Sequence, residues 1–159
     1  MGQIFEDAFM DAQASLISLC KELKNDADKI YVYCSIESGY EFNVFYQKQG
    51  KVLRLSANDL NVSRELISRF LDYGLADTKK IDAVCKEYGK PTPTEIKMIY
   101  DVKTRKFDAE YQYKPVQTMD RGFVDILESW IDEINSTCSA PSSAEPPKQK
   151  PKFPFFCKK

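Results

Sequence analysis

Polar and apolar residues alternate with period two in two hairpins of this chain and recur at helical spacing in three other stretches, and their order predicts the fold. Between 93 and 115, Ile96, Met98 and Tyr100 alternate with Glu95, Lys97 and Asp101. Beyond a turn, Phe107, Ala109, Tyr111 and Tyr113 alternate with Asp108, Glu110 and Gln112. This is the pattern of half-buried strands with one wet face. The apolar positions are even in the first strand and odd in the second, so opposed residues must sum to an odd number. Pairing Tyr100 with Phe107, Met98 with Ala109 and Ile96 with Tyr111 meets that condition. It also sets Lys97 opposite Glu110 and Asp108 near Ile99 on the polar face, and a slip of one residue would bury the charges.

An earlier hairpin reads the same way. Segments 30–36 and 40–47 flank a short loop, Glu37, Ser38 and Gly39, and pairing Cys34 with Phe42, Val32 with Val44 and Ile30 with Tyr46 keeps one face apolar. The other face carries Tyr31, Tyr33, Ser35, Glu41, Asn43 and Phe45. Gln49-Gly50 predicts a two-residue turn into a third strand, with Tyr46 against Leu53, Val44 against Leu55 and Arg54 beside Phe45.

Three helices complete the pattern. Phe5, Ala8, Phe9, Ala12, Leu16, Leu19 and Leu23 mark one face of a helix over 4–24, with Glu6, Asp7 and Asp11 in its early turns. After a polar connection at 56–61, a long helical region over 62–88 buries Leu66, Ile67, Phe70, Leu71, Ile81, Val84, Cys85 and Tyr88. Gly74 and Asp77 predict a bend or break within it. The last helix, over 119–135 with Thr118 as its cap, buries Phe123, Ile126, Leu127, Trp130 and Ile134 and turns Asp125, Glu128 and Asp132 outward.

The order is α-β-β-β-α-β-β-α, an α+β fold with an antiparallel sheet of about five strands, its helices packed on one face and the other face left partly open. No internal repeat is present. Residues 1–137 are expected to form the single domain and 138–159, rich in Ser, Pro and Lys, a disordered basic tail that ends in an apolar Phe-rich stretch.

Charge divides along the same boundary. Residues 1–137 hold 18 Lys and Arg against 23 Asp and Glu, a net of −5, whereas 138–159 hold five Lys and one Glu. A mildly acidic domain lacks the clustered cations that phosphate contacts need, so no direct nucleic-acid partner is expected. No apolar run has the length of a membrane span and the chain opens on an amphipathic helix, which reads as a cytoplasmic protein with no membrane partner. The five cysteines are odd in number and scattered, Cys20, Cys34 and Cys85 beside apolar stripes, as buried thiols rather than disulfides or metal ligands. Cys157, third from the end, does not fit a prenylation signal.

The chain has no histidine, which removes the commonest general base and the nucleophile arrangements that depend on it. No glycine-rich loop precedes a helix as a phosphate cradle requires. Asp108 with Glu110, and Asp125 with Glu128 and Asp132, are the carboxylate groupings that a metal-dependent enzyme could use, but they read better as wet faces. The expectation is therefore a non-enzyme with no cofactor, no metal and no catalytic residue. Tyr31, Tyr33 and Phe45 share the side of the first hairpin assigned away from the helices, where aromatics can anchor a partner. The alternative is that the long connection or the tail covers them.

The run PTEIKMIYDVKTRKFDAEYQY, together with KIYVYCSIESGYEFNVFY upstream and the long helix between them, resembles the YezG-like immunity proteins over about residues 4–135. These are small bacterial antitoxins against secreted nuclease toxins of their own lineage. Where that family commonly has Gly after the Thr of the second hairpin turn, this chain has Arg105. The resemblance implies a stoichiometric inhibitor whose partner is a toxin's C-terminal nuclease domain. The residues expected to make that contact are Tyr31, Tyr33, Phe45, Asp108, Glu110, Asp125 and Glu128. A second reading is a non-enzymatic adaptor that presents its basic, Phe-rich tail to a partner.

Overall fold

The computed structural model describes residues 4–139, with side chains described through 137. Helix α1 (Phe5–Leu23) leads into strands β1 (Lys29–Ser35), β2 (Glu41–Lys48) and β3 (Lys51–Arg54). Helices α2 (Ala57–Leu60) and α3 (Arg64–Glu87) follow, then β4 (Glu95–Asp101), β5 (Phe107–Gln112) and α4 (Phe123–Ser139). The five strands form one antiparallel sheet in the order β3-β2-β1-β4-β5. The fold class and the order of its main elements are those the hydrophobic pattern predicts. The single-turn α2 is additional, lying within the polar connection, where Ser56 accepts from the Asp59 N–H and so caps it.

Both hairpins hold the expected register. Cys34 lies opposite Phe42, Val32 opposite Val44 and Ile30 opposite Tyr46; Tyr100 lies opposite Phe107, Met98 opposite Ala109 and Ile96 opposite Tyr111. Tyr46 meets Leu53 and Phe45 meets Arg54, while β3 ends before Leu55. Gln49 and Gly50 both take positive φ, +52° and +80°, as a two-residue hairpin turn of right-handed strands demands. What the pattern left open was how the hairpins join. They join through β1 and β4, with Val32 opposite Met98 and Tyr33 opposite Lys97.

Strand alternation sorts the side chains into two cores. On one face Ile30, Val32, Cys34, Val44, Tyr46, Ile96 and Met98 meet Leu16, Ile17 and Cys20 of α1 and Phe70 and Ile81 of α3. On the other, Tyr31, Tyr33 and Phe45 meet Ile126, Leu127, Trp130 and Ile131 of α4. The expectation of helices on one face is thus corrected: α1 and α3 cover one side and α4 the other, a three-layer arrangement. An apolar stripe needs an apolar surface, and three aromatic rings on the second face supply it.

Two local expectations also change. Helix α3 runs unbroken through Gly74 and Asp77. Gly74 is there for proximity: a Cβ built on it would fall 2.1 Å from Cε2 of Phe42. Thr118 does not cap α4; it pairs instead with Arg121 in a tight bridge. The helix begins three residues after Asp120, and Asp125 reaches back to accept from the Gly122 N–H at 2.9 Å. The domain boundary set at 137 falls inside α4, which continues to Ser139. The tail reading concerns residues that otherwise lie outside the described ones.

Candidate functional site

The residues expected to bind a partner separate into two groups. Tyr31, Tyr33 and Phe45 are 3%, 0% and 1% exposed, so they are core and not contact surface. Tyr31 and Phe45 stack with ring centroids 4.7 Å apart, and Trp130 stands edge-on to both at 5.7 and 5.1 Å. Phe123 stacks on Tyr33 at 4.9 Å. The Tyr33 hydroxyl donates to Glu95 Oε1 at 2.6 Å, and burial together with that carboxylate raises the phenol well above its ordinary pKa. Buried, and with its one donor spent on Glu95, this hydroxyl is not offered to a partner. The physical reason for the correction is that aromatic pairs with edge-to-face geometry are an interior solution, completed here by a helix from the far end of the chain.

The acids remain at the surface but differ in use. Asp125 is exposed and serves the α4 N-terminus. Glu128 is clamped: Arg54 Nη1 and Nη2 each donate to its carboxylate at 2.6 Å, joining α4 to β3, and this holds the carboxyl below the usual glutamate value. Asp108 and Glu110 lie on the α4 side of the sheet, on the β4–β5 hairpin, half-buried and exposed respectively. Lys97 stands opposite Glu110 in the register, yet its Nζ lies over the Trp130 ring, 5.4 Å from the centroid. Among the described residues neither Asp108 nor Glu110 is in an ion pair.

The sheet's two edges are finished differently. At β3 the Arg54 N–H is taken by the Asp59 carboxylate at 2.7 Å, and the strand is only four residues long. At β5 the Asp101 N–H donates to Lys106 O at 2.9 Å, which identifies the bonded pairs of the ladder. By antiparallel alternation Asp108 and Glu110 bond inward to Ile99 and Lys97, and the N–H and C=O of Phe107, Ala109 and Tyr111 point out of the sheet. Among the described residues no strand lies beyond β5. Tyr113, just past the strand, is 52% exposed. Sequence reading selected Asp108 and Glu110 but missed this backbone edge. Which hairpin strand becomes the border follows from the pairing of β1 with β4, between segments sixty or more residues apart.

A shallow groove of about 360 Å³ runs between α1 and α3, lined by Ser15, Ser18, Leu19, Glu22, Tyr73, Ala76, Asp77 and Lys80. Burial raises the Asp77 carboxyl above its ordinary value despite Lys80 at 3.8 Å. Elsewhere Asp82 accepts from Tyr40 at 2.5 Å, Thr92 at 2.7 Å and Lys86 at 3.0 Å, tying α3 to the β1–β2 loop and to the approach to β4. Cys20, Cys34 and Cys85 are buried free thiols, and burial raises all three above the ordinary cysteine pKa, which disfavours thiolate chemistry. Among the described residues no group of three or more Cys, Asp or Glu is placed to hold a metal ion, and no helix is long and apolar enough to cross a membrane.

No protein-family model matches the sequence, and no curated protein matches it.

Proposed function

We propose that this protein is an immunity protein, which binds and neutralises a secreted nuclease-type toxin domain of its own lineage by stoichiometric contact in the cytoplasm. The observation that carries this reading is the β4–β5 hairpin: Asp108 and Glu110 are presented on the border strand β5, whose outer edge has no strand beyond it and whose two acids have no ion-pair partners among the described residues. A nuclease cleft is cationic because it holds phosphates. An acidic facing surface speeds encounter and sets orientation. The net charge of −5 over residues 1–137 acts in the same sense. The resemblance to YezG-like immunity proteins in element order and hairpin pattern adds to it.

The test is titration of a toxin domain encoded beside this gene. The expected result is a 1:1 complex and loss of nuclease activity at equivalence, with Asp108→Lys plus Glu110→Lys slowing association at low salt. Absence of binding or inhibition would overturn the reading. Deleting residues 140–159 should leave inhibition intact; its loss would favour the adaptor reading, in which the basic tail is the working part.

A further inference from the structure

We propose that the outer edge of β5 is a strand-addition site for a partner segment in which basic and apolar residues alternate. The inference rests on the reading of the protein as a binding partner and names how that partner is held. Three outward-facing peptide units, at Phe107, Ala109 and Tyr111, provide the hydrogen-bonding template. An added strand continues the sheet's alternation. Its residues on the α4 side fall beside Asp108 and Glu110, which call for Lys or Arg. Those on the α1 side extend the row of Phe107, Ala109 and Tyr111, partly buried against the first core, toward the exposed ring of Tyr113, and call for apolar residues.

The same side chains argue against a second copy of this chain as the occupant. Centring an antiparallel pair of β5 strands on Ala109 sets Asp108 against Glu110 of the other copy, and centring it on Glu110 sets Glu110 against itself. Like charges directly opposite are destabilising. In those two registers the edge is guarded against self-pairing, and its acids are complementary to a cationic strand. The contrast with β3, whose outward N–H at Arg54 is already taken by Asp59, marks β5 as the edge left for a partner.

The experiment uses the full chain and two blocked ten-residue peptides, one alternating Lys with Val and one alternating Glu with Val. Amide exchange should show added protection at Phe107, Ala109 and Tyr111 with the Lys peptide only. Ala109→Pro removes one outward N–H and no bond to β4, and should weaken the Lys peptide tenfold or more. Asp108→Lys plus Glu110→Lys, a surface change, should exchange the preference to the Glu peptide even if the proline variant folds poorly. Equal binding of both peptides, or no protection at these amides, would overturn the proposal. So would protection in the free chain that vanishes on deleting 140–159, since the chain's own segment would then be the occupant. Full neutralisation of a toxin domain by a folded Ala109→Pro variant would also defeat strand addition while leaving the immunity reading standing. Peptide binding at the edge with no toxin domain bound would do the reverse.

Discussion

Phe45 of β2 and Trp130 of α4 meet edge to face, ring centroids 5.1 Å apart at 82°. That contact closes the second face of the sheet, and it explains why an aromatic surface on the first hairpin is interior. Trp130→Ala should cost about 3–5 kcal/mol, the range for deleting a large buried aromatic. Thermal or urea unfolding would show it, together with loss of Lys97's cation–π contact. Tyr31→Ala should likewise lower stability, and any drop in partner binding should vanish once the folded fraction is taken into account.

Gly74 and Phe42 make a second close approach. Gly74→Ala places a methyl into a ring that already touches Phe70, with centroids 5.5 Å apart. The expected loss is about 1–3 kcal/mol, as for overpacking of a filled core. Adding Phe42→Leu should recover part of it, and a double-mutant cycle by urea unfolding would measure the coupling.

Arg105 occupies a left-handed position, φ +65°, in the turn between β4 and β5. Asp101 organises that turn, its Oδ1 accepting from the N–H of Lys103 and Thr104 at 3.0 Å each. Arg105→Gly should stabilise by about 0.5–1 kcal/mol, the left-handed cost of a side chain less the added freedom of glycine in the unfolded chain. A raised thermal midpoint with unchanged denaturant slope would check it.

Asp82 and Glu128 predict acid sensitivity. Burial pushes the Asp82 carboxyl up, but the hydrogen bonds from Tyr40, Thr92 and Lys86 outweigh it and leave the carboxyl below its ordinary value. Glu128 is lowered by Arg54. A carboxyl whose folded pKa is depressed contributes stability that is present above its unfolded value, about 4, and lost as pH falls through the folded value. Unfolding free energy should therefore decline below about pH 4, with a shallower decline in Asp82→Asn. That variant should cost about 1–3 kcal/mol at neutral pH, because a hydrogen-bonding hub loses its charge.

The Arg54–Glu128 clamp should contribute little by itself. Its side chains are 48% and 42% exposed, and water and salt screen such pairs. Glu128→Gln is expected to cost less than about 1 kcal/mol at neutral pH, and still less at high ionic strength. Urea melts at two salt concentrations would check this.

The sequence by itself determined both hairpin registers, the turn at Gln49-Gly50 and most of the inward stripes of α1, α3 and α4, because period and parity are local properties of a strand or helix. Leu66, expected inside, is 38% exposed near the start of α3, where the stripe runs past the core. It also placed Asp108 and Glu110 together on the face of β5 opposite Phe107, Ala109 and Tyr111. Three things were decided only by tertiary structure. The pairing of β1 with β4 set the strand order and made β5 a border, a contact between distant segments that no local pattern encodes. The position of Phe42 explains why Gly74 does not break α3: the glycine permits close packing instead of ending the helix. And α4 chose the second face of the sheet, because Tyr31, Tyr33 and Phe45 offered apolar area there that the first face had already filled. An aromatic on the far side of a strand reads alike whether solvent, a partner or a helix lies above it; only the folded chain says which.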